Sequence, residues 1–356
     1  MNVSEINDIR TSTQLKGISF SKYKKSDVRT QMIESMKNNK VEPACYWCAE
    51  LICAGHFMDV WENLLHFVGK FIHLGNPKIV IYLEKRFVIF RNIISQGHFL
   101  NEIDLRNNLS IRKLFAEIVC ILTISNKKNS FEPIKINRIE EFDIAQMTER
   151  LKAPSTQYID PIFKPKDPKE IFIALNELAF SLEQKNMMNS CYWIEWIIEF
   201  EAICKRNKEP CFCEKRTEYD VDSGLQRDII WIVWDIFLYY SKLNNNIFND
   251  TILRSLLGLF CIKYTNATAK KRRYLLYFAV SLLTENVSSN IELITDKTLL
   301  NTVVEKIDNI YIQIKKNEES PNTDYLFSNL DQKNTFEQSM KKMEIMNNMM
   351  GGNTVL

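Results

Sequence analysis

Apolar residues recur every three to four positions along most of this chain, and each such run predicts a helix with one buried stripe. The spacing predicts helices over 28–38 and 43–54, the second with Pro43 suited to a first turn and Gly55 to a C-terminal cap. A third is expected over 57–72, closed by Gly75, and Asn76-Pro77 restarts a fourth with Asn76 as N-cap. That helix carries Ile79, Leu83, Phe87 and Phe90 on one broad face, and 110–124 supplies another with Ile111, Leu114, Phe115, Ile118, Val119 and Leu122 as its stripe. The same periodicity returns over 171–184, 191–204, 225–242, 252–262, 270–284 and 299–314.

Between the two sets lies 152–168, which lacks helical periodicity and holds Pro154, Pro161, Pro165 and Pro168, four of the nine prolines. Such a stretch reads as a linker extended along a neighbouring surface. Asp167-Pro168-Lys169-Glu170 closes it with the ingredients of a capping box. The expected organisation is a flexible arm over 1–26, a helical block over 27–151, the linker over 152–168, a second block over 169–314 and a disordered tail over 315–356 that ends Met- and Asn-rich. The fold class is all-α, with two multi-helical blocks. Cys45-Tyr46-Trp47 recurs as Cys191-Tyr192-Trp193, an offset of 146. Met32, Ser35 and Met36 precede the first copy as Leu178, Ser181 and Leu182 precede the second, so an internal duplication is one reading; independent tryptophan anchors are the other.

Composition sharpens this picture. Nine glycines and nine prolines in 356 residues disfavour turn-dense β folds. The net charge of +2 carries no global signature of nucleic-acid or membrane binding, so only local patches could supply one. The longest apolar run, 229–240, is interrupted by Asp235 and is shorter than the ~18–20 residues that span a bilayer. No secretory leader is legible in 1–25, and nine irregularly spaced cysteines suit reduced thiols; a cytoplasmic chain without membrane contact is expected.

Candidate chemistry is sparse. Cys45 and Cys48 fall inside a predicted helix and read as core. Cys204, Cys211 and Cys213 flank a polar loop where a Cys-x-Cys pair could chelate zinc, although no fourth ligand is nearby in sequence. Glu140 and Glu141 read as a polar helix start. No nucleophile elbow, metalloprotease motif or phosphate loop occurs, so no catalytic or cofactor-binding residue is assigned and a nonenzymatic role is expected. Lys270, Lys271, Arg272 and Arg273 open a helix against its macrodipole, without an acidic neighbour in 265–269. With Lys263, and with Lys205, Arg206, Lys208, Lys215 and Arg216 in the same half, they form a candidate phosphate-contacting face.

Ala44-Cys45-Tyr46-Trp47, Gly55 and Ile72-His73-Leu74-Gly75-Asn76-Pro77 resemble the helical region that follows the ATPase module in replication-fork AAA+ proteins of the Werner-interacting type, related to the clamp-loader collar. That family has Ala, an aromatic and Trp on a hairpin, Gly at the helix end, and then Ile-x-Leu-x-Asp-Pro; here Asn76 replaces the acid. The likeness covers about 28–97 and implies an oligomerising collar without the ATPase. The Asn-, Lys- and Ile-heavy chain, in segments such as 45–77 and 270–285, also resembles uncharacterised proteins of large cytoplasmic DNA viruses of the mimivirus type, which implies a viral factory or virion setting. The expectation is a noncatalytic scaffold or oligomerisation protein, an accessory factor in viral DNA replication or repair that contacts protein partners or itself and nucleic acid. The alternative is a structural component of the virus particle.

Overall fold

The computed structural model describes residues 4–97, 102–138, 140–142 and 148–319. None of them forms a β-strand, and one isolated bridge joins Ile18 to Lys24. The chain is all-α, as its periodicity indicates.

The first hairpin pairs α1 (Lys25–Lys37) with α2 (Val41–Cys53). Gly55 then adopts φ 80°, a left-handed backbone in which glycine avoids the Cβ clash, and α3 (Phe57–Phe67) follows. The expected helix over 57–72 changes form after Phe67: Val68–Ile72 is a π-turn and His73–Gly75 a 3-10 turn. Next come α4 (Lys78–Gln96) and α5 (Leu109–Ile124). The second set comprises α6 (Phe172–Glu183), α7 (Met187–Asn207), α8 (Ile230–Asn244), α9 (Ile247–Cys261), the short α10 (Thr268–Lys271), α11 (Arg273–Thr284) and α12 (Lys297–Lys315).

In the first set α5 packs on α1, α2 and α4; in the second, α11 packs on α6, α7, α8 and α9. The sets meet where α4 lies against α9 and where α11 abuts the π-turn. α12, placed with the second set by sequence, crosses back onto α2 and α5. Burial of Trp61, Trp193, Trp231 and Trp234 anchors a core that runs through all of these contacts.

The N-terminal segment, expected to be mobile, is instead clamped. Ile6, Leu15 and Phe20 are buried, and Arg10 binds Asp8 at 2.6 Å while its guanidinium covers the Phe20 ring at 4.7 Å. Arg106 donates to the Asp8 and Cys53 carbonyl oxygens, and the Glu319 amide donates to the Asp8 carboxylate. These apolar anchors lack helical spacing, and the exposed lysines around them hide the signal. Residues 315–319 of the expected tail are described and partly serve this clamp; 320–356 lie outside the described residues.

Residues 152–168 run in an irregular path whose backbone is captured by α6. The buried Glu177 carboxylate accepts the Lys152 and Ala153 amides, and the buried Asn176 side chain accepts from the Tyr158 amide and donates to the Ser155 carbonyl. Asp167 is not a helix cap. It is buried and binds Arg216, and the 3-10 turn Lys169–Ile171 starts from Pro168. Asn76 likewise makes no cap, its amide reaching the Glu292 carbonyl at 3.1 Å. The side-chain caps that do form come from Asn108, Asn186, Asn246 and Asp296.

Candidate functional site

The expected helix over 270–284 is broken at Arg272: Lys270 and Lys271 end the short α10 and are exposed, Arg272 lies buried in the turn, and Arg273 opens α11 half-buried. Arg272 is 3 % exposed; it pairs with Glu62 of α3 and donates to the Leu259 and Phe260 carbonyls at the end of α9. The Phe260 carbonyl is a C-terminal orphan of the helix that the guanidinium satisfies, and the Leu259 carbonyl also accepts the Ile262 amide at 3.4 Å. Arg273 binds Glu195 of α7 at 3.0 Å, and the Tyr277 hydroxyl donates to the same carboxylate at 2.5 Å. Burial pushes the Glu195 carboxyl above its ordinary range, against the pull of Tyr277 and Arg273. The acids absent from 265–269 are therefore supplied across the fold. Arg272 cannot contact phosphate, which corrects that part of the expected face, and Arg273 is committed to Glu195.

Lys270 and Lys271 remain exposed and make no ion pair among the described residues. Lys205 reaches the Asn266 carbonyl at 3.4 Å and so brings the end of α7, with exposed Arg206 and Lys208, beside the same loop. Lys263 is exposed and engaged in an interaction of its own. Lys215 donates to the Ser223 hydroxyl and belongs to another loop.

Arg216, expected in the basic face, is fully buried and organises a polar cluster that the sequence reading missed. Its Nη1 and Nη2 bind the Asp167 carboxylate at 2.5 and 2.7 Å, its Nε binds Asp235 at 3.0 Å, and Nη1 also donates to the Glu214 carbonyl. The Tyr219 hydroxyl donates to Asp235 at 2.5 Å. Asp167, from the Pro-rich segment, is thereby bound to α8 through a loop guanidinium. Burial raises the Asp235 carboxyl, opposed by Tyr219 and Arg216. A charge inside the apolar run 229–240 was the available signal, because a buried carboxylate needs a partner. Glu141 similarly accepts from the Tyr192 hydroxyl and binds Arg150 at 2.7 Å, and its carbonyl accepts Trp196 Nε1 at 3.0 Å. It is a buried tie to α7 and not a solvated helix start.

The cysteine candidates fall into two places. Cys204 and Cys211 are neighbours whose thiols influence each other's titration, whereas Cys213 donates its Sγ–H to the Asp228 carbonyl at 3.3 Å. Burial pushes the Cys213 thiol up to about 12, so at neutral pH it stays protonated. No group of three metal-ligating side chains converges among the described residues. Of the histidines, His56 lies within hydrogen-bond reach of the Leu15 and Ile18 carbonyls, His66 meets Tyr274 edge-on, and His73 stacks on Phe278 at 4.7 Å with burial depressing its pKa to about 4. His98 lies outside the described residues. No described helix is long and apolar enough to cross a membrane. No protein-family model, curated protein or solved structure matches this chain.

Proposed function

We propose that this chain is a noncatalytic helical scaffold whose exposed lysines at the end of α10 contact nucleic-acid phosphates. The carrying observation is the division of labour within four consecutive cations: Arg272 and Arg273 are fixed by Glu62 and Glu195, and Lys270 and Lys271 are left free on the surface that those arginines hold in place. Arg206 and Lys208 on the adjoining end of α7 widen the positive surface. An accessory role in viral DNA replication or repair follows from this surface together with the collar-like hairpin.

The two hairpins also support an internal duplication. Asn39 and Lys185 are left-handed residues at the same offset of 146, with φ 57° and 52°. The Lys40 amide donates to the Ser35 carbonyl at 2.9 Å, and the Asn186 amide to the Ser181 carbonyl at 2.8 Å. Both turns thus close on the same hydrogen bond from equivalent positions.

Fluorescence anisotropy against a labelled 20-base-pair duplex tests the phosphate contact. Log affinity should fall linearly with log salt, and Lys270→Ala with Lys271→Ala should shallow that slope by about 1.8, or ~0.9 per lost contact. Absence of binding at low salt, or an unchanged slope in the double variant, refutes it. A particle component is the second reading, favoured by Met188, Leu243 and Ile247, which are 59 %, 61 % and 83 % exposed. Asn249 and Met187 both bond to the end of α11, which gathers these residues at one end of the helices. Salt-insensitive self-association lost on Ile247→Asp, without DNA binding, would favour it.

A further inference from the structure

A groove of ≈ 510 Å³ opens between the last three turns of α4 and the end of α9, where the two helical sets meet. Its floor is apolar: Phe57, Phe87, Phe90, Leu105, Leu259 and Ile262. Trp61 supports the floor from beneath, edge-on to Phe87 at 5.0 Å. Val88 and Ile94 extend the apolar wall outward on α4 and are 50 % and 37 % exposed. Residues 84 to 95 of α4 present this face over roughly 16 Å, enough for a partner helix of several turns to lie alongside.

Of the charged groups on the wall, Glu84 is the half-buried one beside the apolar floor, and Arg91, Asp220 and Lys263 are exposed. Glu84 is half-buried in the groove and makes no hydrogen bond or ion pair among the described residues. It sits over Gly258 of α9, where a Cβ would come within 2.3 Å of Glu84 Oε1, so the absence of a side chain there makes the place for the carboxylate. Asp220 adds a second, exposed acid on the α9 side. Arg91 stands exposed two turns beyond Glu84, and Lys263 has its own interaction. A half-buried carboxylate beside an aromatic floor gains from a cation that an occupant brings within its reach, and apolar walls favour an occupant with its own apolar stripe.

We propose that this groove docks an amphipathic helix of a partner protein, with its apolar stripe on the Phe57, Phe87 and Phe90 floor and a Lys or Arg beside that stripe paired with Glu84. The groove would be a helix-in-groove site at the junction of the two sets, independent of the phosphate contact at α10. Two 15-residue helical peptides with the same leucine stripe, one with lysine and one with glutamate on the flanks, are the probes, titrated into the full chain and read by anisotropy. The lysine peptide is expected to bind about tenfold more tightly than the glutamate peptide. Glu84→Gln, which removes charge but keeps shape, should erase most of that preference. Val88→Asn, neutral and of similar size at a half-exposed position, should weaken the lysine peptide by about tenfold at unchanged circular dichroism. Equal affinity for the two peptides, preference for the glutamate peptide, or a preference that survives Glu84→Gln overturns the proposal. So does a concentration-dependent dimer of the chain that Val88→Asn abolishes while the peptides bind nowhere, because the occupant is then a second copy.

Discussion

Replacing Arg216 by Met keeps the apolar length of the side chain and removes the one cation between Asp167 and Asp235. Both Arg216 and Asp167 have 0 % side-chain exposure, and Asp235 has 16 %, so water cannot replace the lost guanidinium without opening the loop. Breaking a buried pair by deleting one partner costs about 3–5 kcal/mol, a large share of the ~5–15 kcal/mol that holds a typical fold together. At ~2.1 cal/mol/K per residue, unfolding of this chain carries enough entropy that such a loss lowers Tm by about 4–7 °C. The pH dependence has a definite sign. Asp235 is already raised by burial, and loss of Arg216 raises it further, so the folded variant binds more protons than its unfolded chain above pH 4. Its stability therefore recovers as pH falls from 7 toward 5, and the gap to the parent narrows. Thermal unfolding followed by circular dichroism at pH 7 and pH 5, with Arg216→Lys as an intermediate case, measures this. A loss below about 1 kcal/mol, the size expected of an exposed pair, or a gap that widens on acidification, refutes the buried-brace reasoning.

Three further outcomes follow from other sites. His73 has its pKa depressed to about 4 by burial, so the unfolded chain takes up a proton that the folded chain resists between pH 6.5 and 4. Stability present above pH 6.5 is lost through that window, up to about 3 kcal/mol, and His73→Asn, which tolerates the φ of 46°, should flatten that part of the pH–Tm curve. An unchanged curve contradicts the assignment. Glu177→Ala leaves the Lys152 and Ala153 amides without their acceptor, which should cost about 1–3 kcal/mol and expose 152–158 to limited proteolysis; cleavage at the parental rate would count against the capture by α6. Arg272→Ala should destabilise the chain by several kcal/mol, because Glu62 loses its buried partner and the Phe260 carbonyl its donor, whereas Lys271→Ala should change Tm by less than about 1 °C. Equal effects would mean that the two cations share one environment.

Helical periodicity located most of the elements because burial here follows the 3.6-residue repeat: predicted 110–124 and 299–314 correspond to Leu109–Ile124 and Lys297–Lys315, whereas predicted 225–242 starts as a 3-10 turn and is α-helical only from Ile230. It was blind where burial is not periodic. Ile6, Leu15 and Phe20 are anchored individually, so the first 26 residues read as a solvated arm. Charge runs were misleading for a related reason. A linear stretch shows four cations at 270–273, but Glu62 and Glu195, which neutralise two of them, arrive from helices 210 and 78 residues away. Asp167 and Arg216 similarly meet across 49 positions, and only the isolated Asp235 in an apolar helix hinted at them. The groove along α4 was invisible because its signature is the exposure of Val88 and Ile94, a property of tertiary packing.

If the first set, the second set, the clamped N-terminal segment and the returning α12 form one braced body, they must unfold together. Differential scanning calorimetry of the full chain at pH 7 should then give one transition whose calorimetric and van't Hoff enthalpies agree. Two resolved transitions, with the split persisting at low scan rate and assigned by proteolysis to either side of 152–168, would contradict a single rigid scaffold.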